Sequence, residues 1–463
     1  MSRPWSRFAK VGPYLLTALV VLNTLLSDTP LTPKRESGGC GFLGGGRGVG
    51  GVSIGTDGIL KNSVAGDAAE LRALRARAQQ EVVGELAKPS PLRKISLRRL
   101  ADAIAAAQND GKPLSDEIRL LAGLQRIQYV FVYPEEHDIV LAGYGEGWKV
   151  DDRGNLVGNA NGRPVMLLDD LLVALRTARQ AQQGGITCSI DPTKEGLDRL
   201  RQYVGTLTTI GDPQTTISTI EQVLGQQVVR ITGVPPSSHF ARILVAADYR
   251  MKRLGMGFDQ APINGLPSYL QMVRPGPRGM QNMMPRWWLV PDYDPLVTDG
   301  QGQVWELPGG RVKAMTEETF MAEGIVRSNT GKVSTMAQKW ADNMTAKYDE
   351  LSVKEPIFGQ LRNCMDLAVA AALIFKENLP FKTGCDLGVL VSANRLPAEE
   401  LLAPKLIDTQ ASFIKKGNNW IISASGGVQI QPWDFVTKVE KNTSIASARG
   451  TKEPEGLKKW WWD

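Results

Sequence analysis

The chain has 463 residues, with 54 Lys and Arg against 48 Asp and Glu, a formal net charge of +6. Its hydrophobic share of 42% and charged share of 22% are those of a folded chain long enough for two or three domain cores. So mild a positive excess gives no reason to expect nucleic acid as a partner. The spacing of the four cysteines matches no zinc pattern.

The chain opens "MSRPWSRFAK", with Arg3, Arg7 and Lys10, followed by the uncharged run "VGPYLLTALVVLNTLL". A basic start before a short apolar run predicts a secretory signal. The run falls short of the ~20 apolar residues of a spanning helix, and a retained N-terminal membrane anchor is the alternative. Residues 1–35 therefore read as signal or anchor, and they predict export to the periplasm or cell envelope. Cys40 lies past Lys34, Arg35 and Glu36, too far beyond the apolar run for a lipidated cysteine.

Residues 36–62, rich in glycine, read as a flexible tether. The G-x-G-x-x-G match at Gly46, Gly48 and Gly51 lacks the strand before it and the helix after it that a dinucleotide site needs. Residues 63–116 read as a basic helical arm. "SLRRLADAIAAAQNDG" has apolar residues at helical spacing, with Ser96 and Gly111 as start and stop signals. Arg72, Arg75 and Arg77, then Arg93, Lys94, Arg98 and Arg99, suit solvated helix faces or contact with an acidic envelope surface.

Residues 117–275 read as a first α+β domain. "IQYVFVY" and "DIVLAG" predict a hairpin whose turn holds Glu135, Glu136, His137 and Asp138. Neighbours in a tight turn diverge, so a solvated turn fits them better than a metal site. "GWKVDDRGNLVG" predicts a second hairpin, and "LDDLLVALRTARQAQQGG" a helix capped by Asp169 or Asp170. In "PPSSHFARILVAADYRMKRLG", Ser237 or Ser238 is a natural N-cap, and Phe240, Ile243, Leu244, Ala247, Met251 and Leu254 form the core stripe. His239 then opens a helix and Asp248 lies about 13 Å further along it, out of hydrogen-bonding reach. No nucleophile motif accompanies the histidine, so no catalytic residue is assigned.

Four segments, "GLQRIQYVFVYPEEHDIVLAG", "GRPVMLLDDLLVALR", "SSHFARILVAADYRMKRLGMG" and "PIFGQLRNCMDLAVAAALI", give the chain a likeness over roughly residues 117–376. It resembles an uncharacterised family of exported planctomycete proteins, a domain of unknown function. The resemblance implies export and a shared α+β fold, and it carries over no catalytic residue.

Residues 276–450 read as a second α+β domain. In "RWWLVPDYD", Trp287 and Trp288 beside Asp292 and Asp294 suit either a sugar-stacking face with carboxylates or core packing. Adjacent strand residues face opposite ways, so only one ring could stack. "STMAQKWADNMTAKYDEL" and "PIFGQLRNCMDLAVAAALIFKENL" predict long helices, with Asp366 favouring the helix dipole at the head of an apolar run. Cys364 and Cys385 are the nearest cysteine pair, and export would allow a disulfide; small buried hydrophobes are the plainer reading. In the tail, residues 451–463, Trp460, Trp461 and Trp462 either dock on the protein's own surface or meet a partner or membrane.

The sequence thus predicts an α+β protein: mixed hairpins and helices in two domains behind a signal or anchor, a tether and a helical arm. The expected role is that of an exported, non-catalytic envelope protein, structural or binding. A hydrolase of cell-envelope polymers, using the acidic residues near Trp287 and Trp288, is the alternative. An envelope component or protein partner is expected, and neither cofactor nor metal.

Overall fold

The computed structural model describes residues 82, 84–207, 212–273, 285–316, 335–412, 424–450 and 458–463, and short strands at 48–49, 52–54, 60–62, 414–416 and 419–421. The expected signal or anchor lies outside the described residues, as do Arg72, Arg75 and Arg77.

In chain order the principal strands are β1 (Ser90–Ser96), β2 (Tyr129–Tyr133), β3 (Asp138–Gly145), β4 (Ile186–Pro192), β5 (Gln227–Thr232) and β6 (Arg286–Asp292). They continue with β7 (Leu296–Thr298), β8 (Val304–Glu306), β9 (Arg311–Thr316), β10 (Leu406–Ile407), β11 (Ser425–Ile430), β12 (Val439–Lys441) and β13 (Trp461–Trp462). The longer helices are α1 (Leu97–Asn109), α2 (Leu168–Gly184), α3 (Lys194–Thr206), α4 (Pro213–Leu224), α5 (His239–Gly255), α6 (Thr335–Ala346) and α7 (Pro356–Lys376). Helices and mixed sheets make the fold α+β, as the sequence predicts.

Two sheets dominate. One has the order β12-β7-β8-β2-β3-β1-β13, the other β9-β6-β11-β4-β5-β10. The chain alternates between them, giving β1–β3 to the first, β4–β6 to the second, β7 and β8 to the first, β9–β11 to the second, and β12 and β13 to the first. Residue 275 is therefore no domain boundary: both sheets draw strands from each side of it, and residues 40–463 form one compact unit. Nor is 84–116 an arm. There β1 pairs with β3 and α1 packs beside it, with Ser96 Oγ accepting from Arg99 N at 3.0 Å as the predicted cap. Arg93, expected on a solvated face, is fully buried. Within the expected tether, residues 48–62 contain three short antiparallel strands.

The 129–145 hairpin forms as predicted, but its turn is only partly solvated. Asp138 is buried and accepts from Arg98 N at 3.1 Å and Ile139 N at 2.8 Å, while His137 Nδ1 lies 2.8 Å from Thr383 O. In the second sheet β11 runs parallel to β6 and antiparallel to β4. Gly426 sits there at φ +120°, and a Cβ on it or on Gly427 would collide with the backbone of Trp287 or Cys188. Only glycine allows strands to approach this closely at such a φ.

Helix α7 is long and apolar enough to cross a bilayer, but 94% of its most apolar window is buried inside the protein. It packs on α2 and α5 and forms the centre of the core. Cys364 on α7 and Cys385 are separate, buried free thiols, so the allowed disulfide is not formed. Each fills core space as a small hydrophobe does.

Candidate functional site

Helix α5 has polar clusters at both ends, and both lie where the chain brings distant segments together. Ser238 caps it, its Oγ accepting from Ala241 N at 3.1 Å and donating to Pro235 O at 2.6 Å. Ser238→Ala is expected to cost about 1 kcal/mol in chemical denaturation. An unchanged midpoint would show that the cap contributes nothing.

At the head of α5, His239 Nδ1 lies 3.0 and 3.1 Å from the two carboxylate oxygens of Asp170. Asp170 does not cap α2, whose N-cap is Leu167 with no side-chain hydrogen bond. Its carboxylate instead turns sideways to the histidine 69 residues later. Neighbouring Asp169 accepts from Glu399 N at 3.3 Å. Glu399 belongs to a segment that is held when Leu401 N and Ala403 N donate to Ser237 O and Pro236 O. Arg242 follows one turn along α5, 6% exposed, and its Nε has no hydrogen-bond partner among the described residues. Asp248, the aspartate on the same helix, is engaged elsewhere.

Burial opposes charging of the His239 imidazole, but the Asp170 carboxylate, aided by Asp169, outweighs it and lifts the pKa above 6.5. Burial also raises the pKa of Asp169 and Glu399. A histidine whose folded pKa is raised stabilises fully below its unfolded value, and that stabilisation fades as pH climbs through the folded one. Wild type and Asp170→Asn are therefore expected to differ in melting temperature most near pH ~6 and less toward pH ~8.5. A difference that widens with pH would contradict the pairing.

At the foot of α5, Lys252 Nζ donates to Asp248 Oδ2 at 2.9 Å and to Ile190 O at 2.8 Å. Burial pushes the Asp248 pKa up to about 7 against the opposing pull of Lys252. Arg253 donates to both carboxylate oxygens of Asp259, at 2.7 and 2.9 Å, and to Gln410 Oε1. Its guanidinium lies 5.7 Å from the Tyr249 ring centroid and 5.6 Å from that of Phe258.

Tyr249, Lys252, Arg253 and Phe258, with Met256, Ile407 and Gln227, line a small cleft of about 30 Å³ that is open to solvent. Gln227 opens β5, where its backbone is fixed between Pro192 of β4 and Ile407 of β10. It is 6% exposed, and its side chain lines the cleft.

The residues expected to form a sugar-stacking face do not converge. Trp287 is a core residue against Trp340 and Tyr269, donating its Nε1–H to Ala337 O at 3.3 Å. Trp288 is buried on the other face beneath Arg286. Asp292 and Asp294 instead share Arg311 at 3.3 and 3.4 Å. In the tail, Trp460, Trp461 and Trp462 are all buried against the protein itself, and β13 pairs with β1. Burial also raises the pKa of Cys188, Cys364 and Cys385, the last to about 12, so all three thiols stay protonated.

Residues 188–269 match a family model described as protein of unknown function (DUF1598). The matched segment runs from β4 through α5 and supplies most of the cleft and His239. The domain of unknown function expected from the resemblance is thereby found, over this shorter span. No curated protein matches the chain, and no solved structure does.

Proposed function

We propose that the protein is an exported component of the cell envelope that binds its ligand without transforming it, and that the ligand lies in the cleft at the foot of α5. The observation that supports this is the cleft itself, which gathers Tyr249, Lys252 and Arg253 of α5, Gln227 of β5 and Ile407 of β10 from distant parts of the chain around one opening. The charged neighbours, Lys252 and Arg253, are already held by Asp248 and Asp259, so they shape the cleft.

The basic, apolar N-terminal stretch supports export, and fractionation is expected to place the full chain outside the cytoplasm. Purified full-length protein mixed with isolated envelope material is expected to co-sediment with it and to release no soluble fragments. Release of fragments would favour the second reading, a hydrolase of envelope polymers. That reading draws on the Asp170–His239 pair with Asp169 and Glu399 beside it, and it requires that His239→Ala abolish the release.

A further inference from the structure

We propose that residues 397–404 form a proton-controlled strap. In mild acid it lies fastened against the head of α5, and as the pH rises it loosens and slackens the cleft at the foot of that helix. Its effect on a ligand rests on the binding reading above; the strap itself does not.

The strap has no helix or strand of its own, and Leu402 in its middle is 74% exposed. Just before it, Arg176 of α2 donates to Leu396 O at 2.7 Å and to Leu390 O at 3.0 Å. Just after it, β10 pairs with β5 through Leu406 and Ile407. Between these anchors three backbone N–H groups fasten it. Glu399 N donates to Asp169 Oδ1 at 3.3 Å, Leu401 N to Ser237 O at 2.8 Å and Ala403 N to Pro236 O at 2.9 Å. An exposed segment held by so few bonds opens locally at low cost.

Ionisable groups from every element beneath the strap face it: Asp169 and Asp170 of α2, His239 and Arg242 of α5, and Arg119. The strap adds Glu399, whose Oε2 is buried with no hydrogen-bond partner among the described residues. Cys364 of α7 lies near Asp170 and stays protonated. Burial and the like charge of Asp169 raise the Glu399 pKa. Burial, outweighing the pull of the Glu399 N–H, raises that of Asp169, and His239 is raised by Asp170 against burial. All three groups thus hold protons more tightly with the strap fastened, so protons favour the fastened state. That preference fades as the pH climbs past the carboxylates and then past the histidine. Once His239 is neutral, Asp169, Asp170 and Glu399 repel one another with only the two arginines to offset them.

The effect reaches the cleft along the chain. The strap runs straight into β10, and Ile407, Asp408 and Gln410 line the cleft. A strand of two residues whose leading end comes free loses its hold on β5, and that wall of the cleft slackens.

The test is hydrogen exchange of the full chain at pH ~5 and pH ~8.5, read as protection factors with the 129–145 hairpin as internal reference. Relative to the hairpin, protection of residues 399–405 is expected to fall roughly tenfold or more between the two. Glu399→Gln, neutral in both conditions, is expected to keep the strap fastened at pH ~8.5, and His239→Gln to loosen it at pH ~5. Equal protection at both values in the wild type overturns the proposal, as does a wild-type profile in both variants. Co-sedimentation with envelope material is expected to weaken at pH ~8.5 as the strap loosens. Unweakened retention with a loosened strap overturns the link to the cleft. If nothing is retained in either condition while the strap still responds, the binding reading fails and the strap stands.

Discussion

Deleting Trp460–Asp463 is expected to destabilise the protein by at least ~4 kcal/mol. Each indole buries roughly 200 Å², several kcal/mol at ~25 cal/mol per Å², against ~1–2 kcal/mol per residue to order the backbone. Three rings are buried here, so burial wins. The tail also completes a sheet: Trp461 pairs with Ile95, Trp462 with Lys94, and Ser96 N donates to Trp460 O at 2.9 Å. Its last residue, Asp463, accepts from Arg93 Nε at 2.8 Å, and Arg93 is 0% exposed and stacked 5.2 Å from the Trp461 ring centroid. Truncation would strip a buried guanidinium of its carboxylate. A melting temperature lowered by about 5 °C or more is the expected reading. Unchanged melting with loss of envelope retention would mean that the rings serve an outside partner.

Asp366→Ala is expected to cost ~3–5 kcal/mol, the cost of breaking a buried charge pair from one side. The carboxylate accepts from Arg126 Nε at 2.7 Å, from Ile127 N at 3.1 Å and from the Tyr293 hydroxyl. Arg126 leads into β2 of the first sheet, Tyr293 joins β6 of the second sheet to β7 of the first, and Asp366 stands on the core helix between them. One side chain thus fastens both sheets to α7. Asp366→Asn keeps the shape and part of the bonding, and a smaller loss in urea denaturation is expected. A loss under ~1 kcal/mol for the alanine variant would show the network to be dispensable.

Local features are legible in the sequence because local chemistry makes them. Ser96 and Ser238 cap their helices, the 129–145 hairpin forms, and the stripe from Phe240 to Leu254 faces the core. What escapes a reading of the sequence depends on partners far apart in the chain. Nothing in the periodicity around Asp170 announces His239, and Arg93 and Asp463 are 370 residues apart. Asp366 suggests a helix start, but α7 begins ten residues earlier at Pro356, which makes it an interior ligand of Arg126. The two-domain division fails for the same reason: strand composition does not say which sheet a strand joins. Two local signals do point to the cleft. Asp248 and Lys252 stand four apart and are both buried, the spacing of an internal pair, and Gln227 is an amide at the start of a β-branched strand.

Hydrogen exchange of the full chain with and without isolated envelope polymer tests most directly where the ligand sits. Binding in the cleft predicts slowed exchange at residues 227–232, 249–258 and 405–411, with the polymer left intact. Slowed exchange confined to residues 168–172 and 237–242, around Asp170 and His239, together with polymer breakdown, would contradict it.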